Sequence, residues 1–279
     1  MAEATVAANA ADDAIIRKIA NEAVAAFNNG ARHVPSFSAR YPAFSLGDAY
    51  RVTAFANNLR VAQRFKPLGR KIGFTNRQLW DEYGVRAPNW GYVYDRTMHD
   101  LKIPLPFAPY TEPKIEPEIM FGLADAPSPG MDDAALVSCI AWVAHGFEIV
   151  QSIFPNWKFS PADTVAANAM HGALLVGPRH DIGSRTGEWL HTLASFNIEI
   201  YCDGQLMDTG NASNVLDGPP STVRCLAALL AHDPDNPPLA AGEIVSTGTL
   251  TRALPVKVGE TWTTKLKGVA LQGVSLRFC

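Results

Sequence analysis

No apolar stretch in this chain reaches the ~18 residues that a membrane-spanning helix needs, so no membrane partner is expected. Basic clusters are also missing. The 24 Lys and Arg are scattered and face 27 Asp and Glu, a formal net charge of −3, which argues against a nucleic-acid partner. Cysteine is scarce: Cys139, Cys202, Cys225 and Cys279 show no C-x-x-C spacing, so neither a disulfide framework nor a zinc site is expected. The Ala-rich start carries Glu3, Asp12 and Asp13 without a basic region and apolar core. It does not read as a signal peptide, and a reducing cytoplasm is the expected location. There is no G-x-S-x-G elbow, no Walker motif and no Rossmann fingerprint. Internal repeats and low-complexity tracts are absent too.

What is present is a composition fit for a large core: 279 residues, 47% hydrophobic and 18% charged. Residues 12 to 30 predict a helix, because Ile15, Ile16, Ile19, Ala23, Val24 and Phe27 recur at steps of three and four, with Gly30 a natural stop after Asn28 and Asn29. Ser45 predicts the cap of a second helix with Asp48 closing a capping box, an apolar face of Leu46, Ala49, Tyr50, Thr53, Phe55 and Leu59, and an end before Pro67. The segment 69–74 reads as a strand reaching a loop, and Thr75-Asn76 as the cap of a short helix through Trp80 and Tyr83. Gly84 to Gly91 reads as a loop, and the prolines of 103–113 as an irregular connector.

Strands are expected near 114–123, 140–150, 172–177, 196–202, 243–249, 254–258 and 261–278. Asp203-Gly204 should form a hairpin turn, and Gly259-Glu260 belongs to a closing hairpin. Asp132 would open one helix, and Ser221 to Ala231 would form another. The whole predicts an α+β fold: a helical N-terminal region, 1–66, and a β-rich catalytic body, 67–279, acting as one unit.

Two carboxylates, Glu116 and Glu118, stand one residue apart in the stretch from Lys114 to Phe121. On a strand both would point to one face. That face is either a cation site or the solvated face of an edge strand, which Pro117 would suit. Glu148 lies inside the apolar run Ile140 to Val150, where an unpartnered ionised carboxylate costs several kcal/mol or neutralises itself. Three converging carboxylates would suit a hard divalent cation such as Mg2+ or Mn2+. His145, in the same run, reads as a packing residue. Lys71, in Gly69-Arg70-Lys71-Ile72-Gly73, is either a surface lysine or a desolvated proton carrier with a lowered pKa. Lys158, Asp163 and Asn168 follow the Glu148 strand in a polar stretch that would either contact substrate or satisfy turn backbone. The turn Ser246-Thr247-Gly248-Thr249 could offer backbone N–H groups to a carboxylate.

Together these segments resemble the fumarylacetoacetate hydrolase superfamily, from about residue 45 to the end. The closest branch is that of the 2-keto-4-pentenoate hydratases and 4-oxalocrotonate decarboxylases of aromatic-compound catabolism. The resemblance rests on Gly69 to Thr75, Ile115 to Ile119, Phe147 to Ser152, Asn156-Trp157-Lys158, Asp163 to Ala169, Thr247 to Thr251 and Leu254-Pro255-Val256. It implies a mixed β-roll body and Glu116, Glu118 and Glu148 as ligands of Mg2+ or Mn2+. It also implies Lys71 as the catalytic acid/base, Thr247 and Gly248 as substrate contacts, and a homo-oligomer built from dimers, with room for a pathway partner enzyme. The implied activity is a metal-dependent hydratase acting on a 2-hydroxy-2,4-dienoate or related 2-keto acid. Decarboxylation of a 2-keto-enedioate is the alternative, and C–C hydrolysis of an acylpyruvate a more distant one. In the branch the loop after the lysine usually reads G-V-D-x-P-D-[FY]-G. Here Arg86 and Asn89 replace both acids, so Arg86 would either meet a distal substrate carboxylate or stay solvated. Trp80 and Trp90 would either line an apolar pocket or pack as local core.

Overall fold

The computed structural model describes residues 2–28, 30 and 32–279. In it the chain forms helices up to Ala62 and opens its first strand at Pro67. The strands are β1 (Pro67–Gly73), β2 (Asn89–Tyr94), β3 (Met98–His99), β4 (Lys114–Leu123), β5 (Ile140–Val150), β6 (His171–Val176), β7 (His180–Asp181), β8 (Asn197–Cys202), β9 (Gln205–Asn211), β10 (Ile244–Thr249), β11 (Leu254–Pro255), β12 (Thr261–Lys267) and β13 (Ser275–Arg277). A nine-stranded mixed sheet runs β2-β1-β10-β4-β5-β6-β3, with β11 beside β4 and β7 beside β5; a second sheet runs β13-β12-β8-β9. One face of β4 to β6, with Ile115, Phe147, Ile149, Ala173 and Leu175, packs on Ile200, Trp262 and Leu276 of the second sheet. Period two then sends Glu116 and Glu148 to the opposite face.

The long central strands are where the hydrophobic pattern places them, because most residues of β4 and β5 are buried and their sequences are dominated by apolar residues. Asp203 and Gly204, both at positive φ, turn β8 into β9 as expected. The last hairpin differs: β12 pairs with β13, so its turn lies between Lys267 and Ser275, and Gly259-Glu260 instead leads into β12. β4 is also central, not an edge. Pro117 is tolerated there because the ladder with β10 and β11 is interrupted between Thr249, opposite Glu118, and Leu254, opposite Ile115.

The first helix runs Ala2–Asn28, longer than the periodic segment, with Gly30 at positive φ; Asn29 lies outside the described residues. The second, Leu46–Ala62, has the full Ser45–Asp48 capping box. Its buried stripe is Ala49, Val52, Thr53, Ala56 and Arg60, while Leu46 is exposed, so the face is rotated from the expected one. It packs against Ile16, Ile19, Ala20 and Val24 of the first helix in a core shared with Ile153, Phe154 and Val165 of the body.

Two segments expected as loops are ordered elements. Within Gly84–Gly91, strand β2 starts at Asn89, and all six of its residues are buried. Trp90 stacks on Tyr50 at 5.5 Å, so aromatic burial overrides the turn-like composition. Pro161–Ala166 is a helix capped by Ser160, with Asp163 completing the capping box. No described helix is long and apolar enough to cross a membrane, and all four cysteines are free.

Candidate metal centre and active site

Glu116 and Glu148 are direct cross-strand partners on β4 and β5, and Glu118 sits two residues along on the same face. Each offers a carboxylate oxygen, and these oxygens lie within 4.8 Å of one another. Like charges facing each other across a sheet repel, so the fold needs a countercharge here. Glu118 Oε2 accepts hydrogen bonds from Ser246 Oγ and from the Gly248 N–H at 3.0 Å, while its Oε1 has no partner. Glu148 Oε1 accepts from His171 Nδ1 at 2.7 Å; its Oε2 lies 3.2 Å from Lys71 Nζ but in no hydrogen-bond alignment. Burial holds all three carboxyls above their usual range, to about 7 for Glu116 and Glu148.

Lys71, on β1 between β2 and β10, is 3% exposed and donates to the Ala169 carbonyl at 3.0 Å. Burial alone would lower its pKa, but the fields of Glu148, Glu116 and Glu118 outweigh it and hold the ammonium above its ordinary value. This reverses the direction expected from desolvation alone. Burial keeps His171 neutral, its pKa far below normal. With ionised carboxylates the site therefore carries three negative charges and one positive one, and Glu118 Oε1 is buried with no partner. A divalent cation fits that charge and that oxygen donor set.

The carbonyl that meets Lys71 is presented by strained backbone. Asn168, Ala169 and Met170 all have positive φ (54°, 49° and 62°). The Asn168 side chain holds the segment in place by pairing both ways with the Tyr92 backbone, accepting from its N–H at 2.8 Å and donating to its carbonyl at 2.9 Å. On the other side Gly248, at φ +93°, brings its N–H to Glu118. An added Cβ there would lie 2.0 Å from Thr75 Oγ1. Gly248→Ala should therefore lose on the order of 2–3 kcal/mol of stability from strain and overlap, read as a lowered chemical-denaturation midpoint. A midpoint equal to wild type would refute this geometry.

A cavity opens at the carboxylates, lined by the polar Lys71, Glu116, Thr75, Asn76 and Asn89 and by the apolar Phe74, Tyr83, Trp157, Phe159 and Met170, with Gly248 also in its wall. Tyr83 and Phe159 stack at 6.1 Å, nearly parallel. Of the residues singled out in the sequence, the fold gathers Lys71, the three glutamates, Gly248 and Asn89. The others lie elsewhere. Arg86 is exposed and paired with Asp81 at 2.5 Å, outside the cavity lining. Lys158 is exposed. Asp163 is buried under hydrogen bonds from Ser36, Ser38 and Ser160, and Thr247 donates to the Ile119 carbonyl. Trp90 is core, and Trp80 donates to the Phe74 carbonyl. His145, as expected, is a packing residue, held between the Glu118 carbonyl and Thr264. His171 and the wall residues Tyr83 and Phe159 carry no motif; only pairing across β5–β6 and loop packing bring them in.

This sheet arrangement and carboxylate cluster define a fumarylacetoacetate-hydrolase-type fold. No family model matches the chain. It is 30% identical over 190 residues to a 2-hydroxypent-2,4-dienoate hydratase of Pseudomonas putida, covering 67% of this chain and 83% of the relative. It is 29% identical over 242 residues to a 2-hydroxyhexa-2,4-dienoate hydratase of Comamonas testosteroni, covering 86% and 89%. Its structure superposes on 4-oxalocrotonate decarboxylase from Pseudomonas putida G7, complexed with magnesium and adipate, with TM-score 0.85, 26% identity and coverage of 95% and 97%. The chain belongs to the fumarylacetoacetate hydrolase superfamily, in its branch of 2-keto-4-pentenoate hydratases and 4-oxalocrotonate decarboxylases, and is a lyase.

Proposed function

We propose that this protein is a divalent-metal-dependent hydratase acting on a 2-hydroxy-2,4-dienoate whose tail carries no charge, in the breakdown of aromatic compounds. The observation that carries this reading is the cavity's polarity. Among the described lining residues Lys71 is the single cation, beside Glu116, and much of the rest of the wall is aromatic: Phe74, Tyr83, Trp157 and Phe159. A second carboxylate would meet these aromatic faces, and the cation beside them, Lys114, already lies over the Trp157 ring at 3.9 Å.

Glu116, Glu118 and Glu148 would hold Mg2+ or Mn2+, which when bound supplies a Lewis acid for the keto-acid end of the substrate. Lys71 is the proton carrier. Its Nζ is anchored by the Ala169 carbonyl, and its basicity is set by the balance between burial and carboxylate charge. Neutralising the carboxylates leaves burial dominant and readies Nζ to give up its proton. Ketonisation moves the enol proton to carbon, and water then adds to the conjugated alkene. The aromatic wall packs the tail and fixes its orientation. A homo-oligomer in the cytoplasm is part of the same proposal.

The runner-up, decarboxylation of a 2-keto-enedioate, is favoured by the superposition on a decarboxylase that binds adipate. Purified protein with Mg2+ or Mn2+ decides between them. A 2-hydroxy-2,4-dienoate should lose its dienoate absorbance and give a chiral hydroxy keto acid without carbon dioxide. Faster release of carbon dioxide from 2-oxo-hexenedioate would overturn the hydratase reading, and turnover of neither would overturn both.

A further inference from the structure

A second cavity lies behind His171, on the side away from the carboxylates, and its lining includes Arg60, Arg96, His99, Gln63, Phe65 and Tyr110. Arg60 is the unusual member. It is 5% exposed, yet its guanidinium makes no hydrogen bond and no ion pair among the described residues. A buried guanidinium has five N–H donors and normally meets a carboxylate. Here it meets aromatic faces instead: Tyr94 at 4.9 Å, Phe27 at 5.4 Å and Phe65 at 5.7 Å. These faces attract the charge but satisfy none of the in-plane donors. Arg96 lies over the same Phe65 ring at 4.5 Å, so two guanidiniums flank one aromatic ring. No acidic residue lines the cavity among the described residues. The wall carries an apolar set, Phe27, Phe65, Pro106, Pro109 and Tyr110, beside the neutral polar residues Asn28, Gln63, Thr97 and Gln151.

We propose that this cavity is a second ligand site, for a small organic carboxylate whose carboxylate group meets Arg60 and Arg96 and whose apolar body lies on the Phe27–Phe65–Tyr110 wall. Charge pairing would satisfy the donors that the protein leaves open. The site is separate from the carboxylate cavity: the two share no lining residue.

The test uses the full chain stripped of metal, titrated with benzoate and, separately, with inorganic phosphate by calorimetry. Benzoate should bind saturably. Its affinity should fall at least tenfold in Arg60→Gln and severalfold in Arg96→Gln, and stay unchanged in Glu116→Gln. If Arg60→Gln does not fold, the exposed Arg96 carries the comparison. The proposal is overturned if benzoate does not saturate, if both arginine variants bind as wild type, or if Glu116→Gln abolishes binding. Phosphate binding where benzoate does not would overturn the carboxylate assignment.

Discussion

Glu116→Gln is expected to reduce metal-dependent turnover by at least about 100-fold while making the metal-free protein more stable at pH 8. Activity falls because one of three anionic oxygen donors becomes a neutral amide, a weak partner for a hard cation. Stability rises because Glu116 and Glu148 are direct cross-strand neighbours, so removing one charge relieves repulsion in a buried place.

The sign of the pH dependence follows from the raised carboxyl pKa values. Glu116 and Glu148 titrate near 7 in the fold against an ordinary 4.5. Between those values the folded chain holds protons that the unfolded chain releases, so the metal-free protein loses stability as pH rises from about 4.5 to about 7. A divalent cation competes with those protons. Added Mg2+ or Mn2+ should therefore raise the Tm of the wild type by several degrees at pH 8 and scarcely at all at pH 5. The same cation should leave the Tm of Glu116→Gln nearly unmoved. Thermal unfolding with and without cation at both pH values reads all of this. Full turnover in Glu116→Gln, or equal cation shifts at pH 5 and pH 8, would remove these glutamates from the metal-binding role.

Lys71→Met is expected to lower kcat by about 100- to 10,000-fold, the usual range for a positioned acid/base, while cation binding is retained or tightened. The methionine keeps much of the buried volume of the side chain, and loss of the ammonium leaves the three carboxylates more negative. A lysine serving only to balance charge would give the opposite pattern, weak effects on turnover and a large effect on metal-free stability. A kcat within about threefold of wild type would assign Lys71 to that structural role.

Much of this site is legible in the chain because strands have a strict period. Glu116 and Glu118 two residues apart must share a face, and an acid inside Ile140–Val150 must be buried and partnered. Gly248 is legible for a similar local reason, as a glycine in a hydroxyl-rich turn that ends a strand. What no local pattern carries is which strand lies next to which. β1 runs parallel to β10, which pairs with β4, and only that order sets Lys71 beside the glutamates. Arg86 shows the limit from the other side. Its loop position made it a candidate for a distal carboxylate, but a nearby Asp81 takes it into solvent.

By itself the sequence determined the class of the fold, the long strands and the acids that a buried face cannot leave uncompensated, because these follow from burial and from period-two geometry. Tertiary structure alone decided the rest. It set Glu148 opposite Glu116, gave Glu148 a partner in His171, and used the left-handed Asn168–Met170 turn to anchor Lys71. It also brought the aromatic residues 74, 83, 157 and 159 together in the cavity wall. Those contacts join residues far apart in the chain, and their energies come from packing and desolvation at places where no local spacing records the neighbour.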